Sequence, residues 1–162
     1  MNPSRNQREN HAVGARNSDI GTENYSGNIV INNSNVSVGY GSTWTANNDI
    51  CMLAIDADNN KFYVGKNGVW ANSDNPSNGT GGYDMSSVVN HAESSSFYHF
   101  AFGSTSGSYM NSFSVNFGNG YFGITAVSSN SGNGYSASGS LGKFQYQPPT
   151  GFTALCTKGL NE

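Results

Sequence analysis

Asp56 and Asp58 stand two apart in "IDADNNKFYVGKNGVW" (residues 55–70), with asparagines at 59 and 60 and an Asn-Gly at 67–68. Oxygen-bearing side chains at alternate positions open a calcium loop of the D-x-D-x-N kind. The glycine such a loop needs at its sixth position is Lys61 here, and the bidentate glutamate at its twelfth is Asn67. The cage is incomplete, so a turn is expected and no metal. The same pair fits glycoside hydrolysis poorly, because that chemistry holds two carboxyls roughly 5 to 9 Å apart across a cleft. "GNGYFG" (118–123) has the G-x-G-x-x-G form of a dinucleotide loop, yet "ITAVSSNSGNG" follows it in place of a helix whose N-terminus could meet a pyrophosphate. His11, His91 and His99 show no metal-ligand spacing, and neither a G-x-S-x-G elbow nor a Cys–His signature accompanies them. His99, alternating with Phe100, reads as a packed or surface residue. No catalytic constellation emerges, and the chain is read as a non-enzyme without cofactor.

Aromatic side chains carry the remaining chemistry. Trp44, Tyr83, Tyr109, Tyr121 and Tyr135 lie in or beside polar, glycine-rich loops. Large rigid faces on loops stack on sugars or protein side chains at small entropic cost. The candidate ligand-binding residues are Trp44, Trp70, Tyr83 and Tyr109. Trp70 is included because it follows the Asn67-Gly68 turn, where the end of a strand can expose one face.

These residues must be positioned by strands. The chain has 162 residues, enough for one domain, and only 10% of them are charged while 21 are glycine. Nine Tyr, nine Phe and two Trp set it apart from disordered chains of similar polarity. No window keeps apolar residues at helical spacing. Short strand signals recur instead, at 28–31, 36–40, 50–55, 61–65, 68–71, 97–102, 112–117, 143–146 and 151–155. "ICMLAI" (50–55) is apolar on both faces, as in a central strand covered on each side. The turn at 56–60 returns it to "KFYVG", and Asn67-Gly68 is a strong type I′ hairpin signal before "VW", so 50–70 reads as a three-strand meander. An arm (1–16), a β domain (17–162) and, within it, a Gly/Ser/Asn-rich insertion loop (118–142) complete the layout.

The net charge is −3, and Arg5, Arg8 and Arg16 hold three of the seven cations, which leaves no basic stripe for nucleic acid. No apolar run reaches membrane-spanning length and no signal core is present, so no membrane insertion is expected. Cys51 and Cys156 are expected as free thiols, Cys51 as a small buried hydrophobe.

Three stretches resemble SPRY domains of the concanavalin A-like superfamily. "NNDICMLAIDADNNKFYVGKNGVW" is similar to their central meander, G-D-x-I-G-x-A-x-D followed by an F-x-x-N-G hairpin. "FYHFAF" then "FSVNFG" resembles the later pair Y-P-A-V-S and V-x-x-N-F-G, with His99 in place of the proline. "YQPPTGFTALCTKGL" (146–160) resembles the ending Y-x-P-P-x-G-F-x-A-L-C-x-x-N-L, in the form found in tailed-phage and marine viral proteins. The resemblance spans residues 47–160 and implies an all-β, concanavalin-like sandwich of two antiparallel sheets with no catalytic residues. It implies a virion-associated binding module, part of a phage tail fibre or other surface appendage, that recognises a host surface glycan or protein. The alternative is a structural decoration or assembly domain whose partners are other virion proteins. Either reading places the chain on the tail or capsid surface, and in the host cytoplasm during assembly. The family's early strands have only weak counterparts before Asp49, so either residues 17–45 improvise the missing strands or, the favoured expectation, the open edge takes a strand from a neighbouring copy, a homo-oligomer, or from another virion protein.

Overall fold

The computed structural model describes residues 20–23, 26–31, 34–44, 46, 48–89, 114–127, 135–136 and 142–155. Within them the protein is built from antiparallel strands with almost no helix. Helical structure amounts to one four-residue turn, α1 (Ser86–Val89), and single 3₁₀ turns at Ala71–Ser73 and Pro76–Asn78.

The meander forms as its turn signals require. β4 (Cys51–Asp56) pairs with β5 (Lys61–Lys66), and β5 pairs with β6 (Val69–Trp70) across Asn67-Gly68. Asn67 and Gly68 have φ of 50° and 91°, the left-handed conformations a two-residue type I′ loop demands. The β4–β5 turn is closed by Asp56, whose carboxylate accepts from the Asn59 backbone N–H at 3.0 Å and side-chain amide at 2.8 Å. Asn60 ends that turn at a φ of 53°. After an excursion over 71–82, β7 (Tyr83–Asp84) returns to the β6 side of β5 and pairs with Lys61 and Phe62.

One expectation reverses here. β4 is not the covered central strand; β5 is, with neighbours on both edges and four consecutive buried residues, Phe62–Gly65. β4 pairs on one side only among the described residues, and Cys51, expected as a buried hydrophobe, is a free thiol that reaches the surface where that strand begins, although crowding by surrounding atoms desolvates it and pushes its pKa up to about 12. Apolar content was a poor guide because burial follows the number of neighbours a strand acquires, which is a tertiary quantity.

The front of the chain supplies its own strands. β1 (Ile20–Thr22), β2 (Ile29–Ile31) and β3 (Ser34–Ser37) make a three-stranded antiparallel sheet with a register shift between Ile29 and Val30. Ile29 joins Phe62, Val64 and Met85 in the buried core, and Ile20, Tyr40, Trp44, Leu53, Ile55 and Tyr83 pack around them. Of the two expectations for the front, the first holds: the strands are supplied from within residues 17–45, stronger strand material than the sequence suggested.

Three further differences concern the back half. "KFQY" contributes only an isolated bridge between Phe144 and Tyr135, and 151–155 contains no strand. Residues 114–117 are likewise not a strand, and 97–102 and 112–113 lie outside the described residues. The insertion at 118–142 holds a hairpin of its own, β8 (Tyr121–Phe122) with β9 (Thr125–Ala126). The glycine pattern at 118–123 thus runs into a strand, not a helix.

Candidate recognition surface

The pleat of β5 sorts the aromatic residues onto two faces. Phe62 and Val64 point to the side shared with Ile29, and Tyr63 and Gly65 to the other.

Trp44 and Tyr83 belong to the first face. Tyr83 stands opposite Phe62 in register and meets the Tyr40 ring edge-on, centroids 6.1 Å apart at 87°. Trp44 packs against the core and donates its indole N–H to the Gly65 carbonyl at 3.3 Å. The segment carrying Tyr40 and Trp44 is tied down from the first sheet. Gly41 donates to the Gly27 carbonyl at 2.7 Å, and the Gly27 Cα lies so close to the Gly41 backbone that a Cβ there would overlap its carbonyl. Buried Asn28 accepts from the Gly39 N–H at 2.8 Å and donates to Glu23 at 3.2 Å. Both aromatic rings are half-buried, and part of each serves packing.

Trp70 lies on the second face. It stands opposite Gly65 and meets Tyr63 edge-on at 6.5 Å, while Phe152 meets Tyr63 at 6.3 Å and 85°. The C-terminal segment crosses the hairpin here. The Tyr146 ring rests on Gly68, 2.8 Å from where a Cβ would be, and Thr150 donates its N–H to the Ser77 hydroxyl at 3.0 Å. Trp70 therefore does not share a face of the sheet with Trp44 and Tyr83, and Tyr109 lies outside the described residues. The four candidates do not converge on one patch within what is described. Among the described residues the aromatic with the freest face is Tyr121, 48% exposed, on the β8–β9 hairpin whose tip residue Ile124 is 99% exposed. Loop composition pointed to Tyr121 along with the others; relative exposure is a product of tertiary packing and left no mark on the sequence.

Several titratable groups hold loops. Tyr40 donates to the buried Asp74 carboxylate at 2.5 Å; burial, then the hydrogen bond and charge of Asp74, raise its phenol well above the ordinary value. Neither Tyr40 nor Asp74 was singled out from sequence, since a buried acid in a polar loop has no local signature. Gly81 lies against the Asp74 carboxylate, and Lys61 donates to the carbonyls of Gly79 (3.1 Å) and Gly81 (2.5 Å). At the other end, Lys66 pairs with Asp49 at 3.0 Å, and Asn67 donates to Asp49 at 2.9 Å. The hydrogen bonds of Lys66 and Asn67 hold the Asp49 carboxyl below the usual carboxylate range. Among the described residues no three His, Cys, Asp or Glu side chains gather as a metal centre would require. No described helix is long and apolar enough to cross a membrane. Among the described residues the arrangement offers stacking faces and hydrogen-bonding loops.

No protein-family model, curated protein or solved structure matches the chain.

Proposed function

We propose that the chain is a non-catalytic, virion-associated binding module on an SPRY-type concanavalin-like sandwich, part of a tail fibre or surface appendage that recognises a host glycan or protein. The observation that supports this reading is the contact between the two stretches carrying the resemblance. Tyr146 and Phe152 of "YQPPTGF" sit on Gly68 and Tyr63 of the meander, so motifs far apart in sequence act as one structural unit. The recognition surface then draws on Trp70 beside this unit and on exposed Tyr121. A glycan array probed with the intact chain tests it. Binding that weakens by about 1–3 kcal/mol in Trp70→Ala or Tyr121→Ala supports the surface, the range of an ordinary to strong hot spot. Full affinity in both variants rejects it, and polysaccharide turnover would reject the non-catalytic role.

The second reading, an assembly domain bound to another virion protein, is favoured by the aliphatic side chains left outside. Val36, Val38, Val69 and Ile124 are 44%, 79%, 72% and 99% exposed. Sugars stack on aromatic faces, whereas aliphatic groups suit a protein partner. Retention by purified particles without any glycan binding selects this alternative.

A further inference from the structure

Three Asn-Gly pairs lie among the described residues, Asn67-Gly68, Asn78-Gly79 and Asn119-Gly120. Each carries an intrinsic reaction. The glycine backbone nitrogen, once deprotonated, attacks the asparagine Cγ; a C–N bond forms, the side-chain amide leaves as ammonia, and a cyclic imide results. Water opens the imide at either carbonyl, leaving aspartate or isoaspartate. One carboxylate replaces one amide, water is the only co-reactant, and nothing is oxidised. Glycine permits the attack because no Cβ shields its nitrogen. The local sequences are alike at the reacting atoms, so tertiary structure sets the order of the three rates.

Asn67 is clamped. Its Oδ1 accepts from the Ile50 N–H at 2.8 Å and its Nδ2 donates to Asp49 at 2.9 Å. The attacking nitrogen is engaged too, since the Gly68 N–H faces the Met52 sulfur at 3.1 Å, and the Tyr146 ring covers Gly68. Asn119 is intermediate. Its Oδ1 accepts from Tyr121 at 3.2 Å, and buried Gly120 donates to Asn116 at 3.3 Å. Asn78 and Gly79 are both exposed, with no atom within 4 Å of the position a Gly79 Cβ would take. Asn78 is held through its Oδ1 by the Thr80 N–H at 3.0 Å, and Gly79 donates to Pro76 at 3.2 Å.

We infer that Asn78-Gly79 is the primary site of spontaneous conversion to aspartate and isoaspartate among these pairs, and that the Asp49–Asn67–Ile50 clamp protects the hairpin turn from the same reaction. The isoaspartyl product inserts a methylene into the main chain between 78 and 79. That shifts the Gly79 carbonyl away from Lys61 and breaks the Asn75–Thr80 bridge, so the 75–80 loop changes charge and shape together.

The intact chain, aged in mildly alkaline buffer at physiological temperature, is digested and mapped by mass, with isoaspartyl methylation as an independent readout. Asn78 is expected to convert first and Asn119 second. Asn67 is expected about 5- to 30-fold slower than Asn78, the factor for opening one or two hydrogen bonds. A parallel ageing in denaturant is expected to bring the three rates together. Conversion of Asn67 as fast as Asn78 in the folded chain overturns the inference, as does a rate spread that survives denaturation. Asn133-Gly134 lies outside the described residues and is scored separately.

Discussion

At the residue scale, two tyrosines with opposite hydrogen-bonding fates give a paired test. Tyr63 is fully buried and its hydroxyl has no hydrogen-bond partner among the described residues, whereas the Tyr40 hydroxyl donates to the Asp74 carboxylate. An unpaired buried hydroxyl costs stability, and a bond to a charged acceptor contributes roughly 1.5–3 kcal/mol. Tyr63→Phe is therefore expected to be neutral or stabilising by up to about 1 kcal/mol, and Tyr40→Phe to destabilise by about 1–3 kcal/mol. Urea midpoints of both variants check the contrast, and a large loss in Tyr63→Phe would mean that its hydroxyl has a partner after all. Gly68 is a second position where one atom decides the outcome. Its φ of 91° disfavours any side chain, and a Cβ would press on the Tyr146 ring. Gly68→Val is expected to cost about 1–3 kcal/mol, the conformational part alone being roughly 1–2. An unchanged midpoint would contradict a type I′ turn at Asn67-Gly68.

At the element scale, β5 organises the molecule because it is covered on both faces and paired on both edges. Phe62 is 4% exposed, while Val69 on the neighbouring strand is 72% exposed. Phe62→Ala is expected to cost about 3–5 kcal/mol through the cavity it leaves, and Val69→Ala to change stability by no more than about 0.5 kcal/mol. Similar losses in the two variants would contradict the assignment of the core to the Phe62 face. The C-terminal segment is an irregular strap: with prolines at 148 and 149 it covers Tyr63 by side chains, and Phe152 does this without any ladder hydrogen bonds. Reading 151–155 as a strand failed because apolar alternation is shared by strands and by extended straps.

At the scale of the whole molecule, pH acts on stability from both ends. The carboxyls of Asp49, Asp56 and Asp84 are held low, by the Lys66 and Asn67 hydrogen bonds, by the Asn59 amide and by the Ser86 backbone N–H respectively. Groups whose folded pKa is depressed stabilise above their unfolded pKa, so this contribution is present at neutral pH and is lost as pH falls below about 4. Tyr40, Tyr63 and Tyr83 are shifted the other way, chiefly by burial. Their contribution is complete below about pH 10 and is lost as pH rises beyond it. Denaturant midpoints across pH should form a plateau with two falling limbs, and Tyr40→Phe should flatten the alkaline one. An unaltered alkaline limb in that variant would show that Tyr40 ionises freely. The front sheet adds a second expectation at this scale. Because Ile29 closes the core from within the chain, sedimentation should find a cooperatively unfolding monomer, and concentration-dependent association would restore a neighbouring copy at a sheet edge.

Local residue types set whatever depends on neighbours along the chain. Asn67-Gly68 specified its turn because only a few residue types accept positive φ, and Asp56 with Asn59 closed the preceding turn within hydrogen-bonding reach. The meander followed from those two turns and the apolar runs between them, as did the all-β character from the missing helical period. Tertiary structure alone decided which strand became central, that Trp44 and Tyr83 pack on one face while Trp70 and Phe152 meet Tyr63 on the other, and that Tyr121 stays exposed. The physical reason is that burial is a sum over contacts between distant segments, and an aromatic residue in a glycine-rich loop reads the same whether such a segment arrives to cover it or not.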